Sequence, residues 1–342
     1  MGRKTIQDVA KAANLSISTV NRALHEPNKV RKETLQAILL AANDIGFYGL
    51  GSIEKGLKTT RSKIRIGIQL LQSNRVLYRS LKAAYEASAV ELDGWDIKLN
   101  IEHVDDLSPQ NIAESLERLA EKSDVIGTVS TEHPVVAHMI ENLADRGIKT
   151  FALISPLTAR CNVGYVGVDN WKFGRTAAHF MRYMCQTPGK VALFMGNHRF
   201  RCQETNESSF RAYFREHPGP FEILDTQSTF ESATIAQEIT EELIEKHKDL
   251  VGIYVGGGGI SGVCAAVRAA KRDKHISIVA HDLTDTTRTA LLDGTVDFVI
   301  AQPINLLTKE TFIAMIKAYE NGPDFPPQSI SLPFEIYTRE NL

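Results

Sequence analysis

From Ile64 onward, short apolar runs alternate with amphipathic helical runs, and few folds satisfy that alternation. Strand-like runs are expected at 64–69, 95–104, 125–130, 148–154, 191–196, 221–227, 250–256, 276–282 and 298–302. Helical periodicity fills gaps between them at 80–92, 109–121, 135–146, 173–184, 235–247 and 306–319. Strands that alternate with helices build parallel sheets with helical crossovers. At roughly 100 residues per set of four or five strands, the pattern predicts an α/β core of two doubly wound parallel-sheet lobes. The expected N-lobe spans about 64–168 and 303–320, and the C-lobe about 169–302 and 321–342. Ligands of such sheets bind outside the carboxyl ends of the strands, so binding residues should stand where strands end.

Before this core, Lys4 to Leu24 forms two short amphipathic runs separated by a polar break. Ile6, Val9, Ala10 and Ala13 share one helical face, and Thr5 with Asp8 matches a capping box. Asn14, Leu15 and Ser16 supply a turn and a new N-cap, so a second helix is expected from Ile17, with Val20, Ala23 and Leu24 facing inward. Its outward face would carry Ile17, Ser18, Asn21 and Arg22, a mixture suited to base edges in a major groove. A third helical pattern over 31–45 ends at Gly46 and completes a small all-α headpiece over residues 1–47. Two ordinary surface helices of an α/β domain would be the alternative.

Charge separates the same segments. Residues 1–63 hold 11 Lys and Arg against 5 Asp and Glu; with −2 on the whole chain, a +6 head sits on a −8 body. A basic arm suits a polyanion partner, since phosphate neutralisation supplies most non-specific DNA affinity. A basic face that is merely solvated is the alternative. No apolar run approaches the ~18 residues that span a bilayer, and no signal-peptide pattern follows the charged start, so the chain is expected in the cytoplasm and off the membrane. Cys161, Cys185, Cys202 and Cys264 form no C-x-x-C pair. Neither disulfides nor zinc are expected, and no cofactor.

The N-terminal segment resembles the lactose-repressor (LacI) family of bacterial transcription regulators, whose pattern T-I-x-D-V-A-x-x-A-x-(V/L)-S-x-x-T-V-(S/N)-R is matched almost throughout from Thr5 to Arg22. The resemblance implies a homodimer on a pseudo-palindromic operator, with DNA contacts from Thr5, Ser16, Ile17, Ser18, Thr19, Asn21 and Arg22. Ile17, Ser18 and Arg22 are assigned to bases; Thr19 and Asn21 are assigned to phosphates. In that family the segment matching 48–63 forms a hinge helix on DNA, with a Leu wedged into the minor groove. Leu57 and Lys58 are the corresponding contacts here. Leu50, Gly51, Glu54 and Lys55 depart from the family's pattern, and a flexible tether is the alternative.

The core resembles periplasmic-binding-protein sugar receptors, notably at 166–178 and in a closing strand over 332–342. That resemblance favours Asp169, Asn170, Asp282 and Gln302 as ligand contacts. Asn74, Arg75, Tyr78, Glu132, Arg199 and Phe230 join them as polar and aromatic groups near strand ends, suited to a polyhydroxylated ligand. An Asp at a strand end is equally often a helix cap. The run Gly256–Gly259 lacks G-x-x-x-x-G-K-[ST], which favours a structural turn over a phosphate loop. No leucine heptad follows the closing run, so no tetramerising tail is expected.

Three functions compete: a ligand-responsive DNA-binding repressor, a transport receptor, and an enzyme. A transport receptor needs export, and the sequence holds no G-x-S-x-G, H-E-x-x-H or Cys/His pair in motif context. A repressor controlled by a small sugar, polyol or related metabolite accounts for head, linker, core and charge together.

Overall fold

The computed structural model describes residues 4–47, 62–271 and 275–342. The headpiece is built from α1 (Ile6–Ala12), α2 (Ile17–His25) and α3 (Lys32–Asp44), with a 3-10 turn at Pro27–Lys29. Thr5 and Asp8 close a reciprocal capping box on α1, and Ser16 accepts the Thr19 N–H at the start of α2. Asn14 (φ 54°) makes the left-handed turn between the two helices, and Gly46 (φ 69°) stops the third. Val9, Ala10, Val20, Ala23, Leu35, Ile38 and Ala42 form the buried core of this unit.

The core unit contains β1 (Ser62–Leu71), α4 (Val76–Glu91), β2 (Trp95–Val104), α5 (Pro109–Ala120), β3 (Val125–Thr128), α6 (Pro134–Asp145), β4 (Lys149–Leu153) and β5 (Gly164–Val168). It continues with α7 (Asn170–Met184), β6 (Gly189–Met195), α8 (Arg201–Glu216), β7 (Phe221–Ile223), β8 (Gln227–Ser228), α9 (Ala233–Lys246), β9 (Leu250–Val255) and α10 (Ile260–Ala270). β10 (Ser277–His281), α11 (Asp285–Leu292), β11 (Phe298–Ala301), α12 (Ile304–Glu320), β12 (Ser329–Leu332) and β13 (Glu335–Tyr337) complete it.

The strands form two sheets, ordered β12-β5-β4-β3-β1-β2 and β13-β11-β10-β9-β6-β7, with β8 also on β6. Burial in the second sheet explains its layers. Val191, Leu193 and Met195 of β6 pack against Phe173, Ala177, Met181 and Phe210 on one side. Ala192 and Phe194 pack against Ala236 and Val263 on the other. A strand covered on both faces reads as a continuous apolar run. In the first sheet, Gln69 interrupts β1 and is fully buried, yet it donates to the Ile112 carbonyl (2.9 Å) and accepts the Thr128 hydroxyl (2.6 Å).

The chain crosses between the lobes at Asp169, at 302–303 and at 333–334. The last crossing corrects the expected boundary. Residues 329–332 do not belong to the C-lobe: β12 pairs in parallel with β5, Ser329 against Tyr165 through Leu332 against Val168. Only β13, antiparallel to β11, joins the second sheet.

Two strands, β5 and β12, and three helices, α8, α10 and α11, have no counterpart among the elements expected from sequence. α8 escapes because its buried face includes polar Asn206 and Ser209 beside Phe210, Tyr213 and Phe214. The helical period is there, but it is not carried by apolar residues alone.

Candidate effector site and nucleic-acid interface

In the headpiece, the outward face of α2 holds Ile17 (47% exposed) with exposed Ser18, Asn21 and Arg22, while Val20 and Ala23 of the same helix are buried. The Ser16 hydroxyl lies 2.7 Å from that of Thr19 and 2.9 Å from that of Ser18, so three hydroxyls cluster at the start of the helix. Thr5 donates its N–H (2.8 Å) and hydroxyl (2.9 Å) to Asp8, and these bonds hold the Asp8 carboxyl below its ordinary range. The exposed set combines an aliphatic group, hydroxyls, an amide and a guanidinium on the outward face of one helix, the mixture by which such helices read base edges. Leu57, Lys58 and the hinge segment lie outside the described residues.

The core holds a cavity of about 450 Å³ where the strand ends of the two lobes face each other. Six sequence-predicted residues line it: Asn74, Arg75, Tyr78, Asn170, Asp282 and Gln302. Asp282 stands just past β10 in a left-handed conformation (φ 59°), which Asp tolerates, and its carboxylate accepts the Gln302 N–H at 3.2 Å. Burial raises its pKa to about 6; the Gln302 bond and Arg75 pull it down, and Glu231 adds to the rise. Asn170, the first residue of α7, donates its side-chain amide to the Tyr165 hydroxyl at 3.2 Å.

The other four predicted residues do not line the cavity. Asp169 caps α7 instead, accepting the Lys172 N–H at 3.0 Å. Glu132 accepts the Thr158 N–H with its carboxylate (3.2 Å), and its own N–H donates to the Arg199 carbonyl (2.8 Å). Arg199 falls in the turn that opens α8, which leaves its side chain exposed. Phe230 is 71% exposed at φ 50°; its neighbour Glu231, at φ 62°, enters the cavity in its place.

Gln203 and Asn206 on α8, Glu231, His281 and the aromatic wall of Phe173 and Phe200 were not expected from the sequence. Two side-chain oxygens here, Asn206 Oδ1 and Gln302 Oε1, are buried without a hydrogen-bond partner. Buried acceptors are costly unless something donates to them, so these two call for donors from a ligand or water. His281 is held neutral, its pKa pushed down by burial to about 3, with Nε2 2.7 Å from the Tyr254 hydroxyl and its ring edge-on to Phe173 at 4.6 Å. Burial pushes the Cys202 thiol up to about 12, so it is no nucleophile at neutral pH. Ile154, a β-branched residue at φ 65° on the cavity wall, is a point of backbone strain.

The glycine run 256–259 bends between β9 and α10 and forms part of the wall. A Cβ on Gly258 would fall onto Glu231 Oε2 and Arg75 Nη2. Arg75, on the N-lobe, pairs with Glu231, on the C-lobe. Cys202 N–H also donates to Ser155 Oγ (3.3 Å) between the lobes.

The model for the periplasmic binding protein domain matches residues 75–323, and that for bacterial regulatory proteins of the lacI family matches residues 5–49. Both halves of the sequence resemblance are thus matched. The chain is a lacI-family regulator with a periplasmic-binding-protein core. The HTH-type transcriptional regulator DegA of Bacillus subtilis is 22% identical over 347 residues, covering 99% of this chain and 98% of its own length. Among solved structures, the glucose-galactose binding protein GanP of Geobacillus stearothermophilus has a TM-score of 0.74 at 20% identity, covering 82% of this chain and 99% of its own. An ABC transporter solute binding protein of Agrobacterium vitis, bound with α-D-tagatopyranose, has a TM-score of 0.73 at 20% identity, covering 81% and 95%. These two likenesses concern the fold of the core. The lacI-family headpiece makes this regulator a DNA-binding protein. No helix of the described residues is long and apolar enough to cross a membrane.

Proposed function

We propose that this regulator is a homodimeric repressor acting in the cytoplasm, where it reads a pseudo-palindromic operator with Ile17, Ser18 and Arg22 of each subunit. The length of α2 supports this, because one short helix meets too few bases to specify a site alone and a two-fold pair doubles them. A small sugar or polyol occupies the cleft, where Asp282, Gln302, Asn206 and Asn170 take its hydroxyls and Phe173 and Phe200 cover its C–H faces. The observation that carries this reading is the pair of buried, unpartnered oxygens, Asn206 Oδ1 and Gln302 Oε1, in a cavity of about 450 Å³, within the size range of small-molecule sites. A ligand that prefers one arrangement of the lobes then biases DNA affinity by its difference in affinity for the two arrangements.

Titrating neutral sugars and polyols into the protein by calorimetry, with gel shifts on DNA from its own gene neighbourhood, tests the proposal. A compound that binds the wild type, binds Asp282→Ala at least about tenfold more weakly, and shifts operator affinity is expected. Equal binding by both proteins would remove the cleft assignment, and unchanged operator affinity would remove the coupling.

A further inference from the structure

The cavity wall contains a glycine run, Gly256–Gly259, and one basic side chain, Arg75. Those are the two parts from which an anion site would be made, and the protein's own carboxylate already engages both. Glu231 Oε2 pairs with Arg75 Nη1, and Oε1 accepts Gln203 Nε2 at 2.9 Å. The Glu231 side chain is only 9% exposed. A Cβ on Gly196 would fall onto Glu231 Oε1 and one on Gly258 onto Oε2, so the carboxylate lies against the backbone of both glycines. Gln203 is fixed in turn, its Oε1 accepting the N–H groups of Gly196 (2.7 Å) and Asn197 (3.1 Å).

The remaining charges favour the same conclusion. Asp282 adds a second carboxylate to the wall, and His281 is uncharged with one ring nitrogen committed to Tyr254. Among the described lining residues no Lys and no Arg other than Arg75 faces the cavity. An entering anion would therefore have to displace Glu231 from Arg75, leaving a buried carboxylate held by Gln203 alone, or lie uncompensated beside two carboxylates. Both arrangements are penalised by desolvation and like-charge repulsion.

We propose that Glu231 sets the charge class of the ligand: it occupies the glycine-lined place where a phosphate or carboxylate would sit, neutralises Arg75, and confines the cleft to uncharged polyols. This rests on the reading of the cleft as a sugar or polyol site and adds which members of that class enter. The regulator then responds to free sugars and is blind to their phosphate esters and acids.

Inorganic phosphate is the probe, titrated calorimetrically into the full chain at about pH 7.5, where every phosphate species present is an anion. The proteins are wild type, Arg75→Met, Glu231→Gln, Glu231→Asp and Arg75→Met/Glu231→Gln, with folding checked by circular dichroism and melting. Phosphate bound by the basic headpiece is common to all five, so the differences report the cleft. Glu231→Gln is expected to gain a saturable site at least about tenfold tighter than anything in the wild type, the size of one charge-assisted contact. Glu231→Asp, which keeps the charge, is expected to gain none, and the double variant to lose the gain. A wild-type phosphate site abolished by Arg75→Met would overturn the proposal, and this measurement needs no Glu231 variant to fold. So would a folded Glu231→Gln that gains nothing, or a Glu231→Asp that gains as much. Because no sugar is used, failure here leaves the sugar-panel result standing, and failure of the panel leaves this one.

Discussion

The Asp282 carboxylate accepts the backbone N–H of Gln302 at 3.2 Å, tying the residue after β10 to the residue after β11. That one bond does not offset the burial of the charge, and the carboxyl titrates near 6. A folded-state pKa above the ordinary 3.8 means that the folded protein holds this proton more tightly than the unfolded chain. The contribution is fully present below pH ~4 and is lost as pH rises through ~6.

At pH ~7 the ionised Asp282 therefore costs on the order of 1–3 kcal/mol of stability. Asp282→Asn keeps an acceptor for Gln302 and tolerates the left-handed backbone. It is expected to be more stable than wild type at neutral pH by that amount, with the gap closing towards pH ~4. Denaturant midpoints at several pH values across that window measure this; a gap that does not change with pH would rule out the burial of the charge as its origin.

Gly258→Ala puts a methyl group onto the Arg75–Glu231 pair. Overpacking of this kind costs about 1–3 kcal/mol, and the pair must part or the loop must move. A lower melting temperature is expected, and Glu231→Ala in the same chain should recover part of the loss. A Gly258→Ala variant as stable as wild type would mean that the glycine is not required by the pair.

Ser16→Ala removes the acceptor of the Thr19 N–H at the start of α2. Loss of such a cap costs about 0.5–2 kcal/mol, and Ser16→Gly should cost only a few tenths of a kcal/mol. Faster hydrogen exchange of the α2 amides in the full chain is the expected signature; unchanged exchange would place the helix's stability elsewhere.

Arg22→Ala should weaken operator binding by about 1–3 kcal/mol per half-site and relax preference at one base pair. The +6 charge of residues 1–63 should also give a log–log salt slope of several units for operator binding, about 0.9 per phosphate neutralised. Wild-type discrimination by Arg22→Ala, or a slope near zero, would contradict the interface.

The alternation of strands and helices and the headpiece turn can be read directly, because their signals are local: period 2, period 3.6, a cap, an Asn in the left-handed region. The cleft can be read only where it is made by strand ends, as at Asp282 and Gln302. Gln203 and Asn206 lie on a helix whose buried face is polar, so nothing local marks them as facing a cavity. Glu231 follows Phe230 in the chain, and the left-handed backbone at both positions leaves the ring outside and the carboxylate within, which periodicity does not report. Asp169 shows the converse, since a cap and a ligand carry the same local sequence.

Residues 329–337 give one edge strand to each lobe, β12 beside β5 and β13 beside β11. During synthesis on the ribosome, the headpiece has all its own residues within the first 47, whereas both sheets wait for this last pair of strands. A cell making the protein thus holds a nascent chain whose DNA-reading part can be finished while its sensing part still exposes two unpaired strand edges. A newly made chain can complete its headpiece before its core can close.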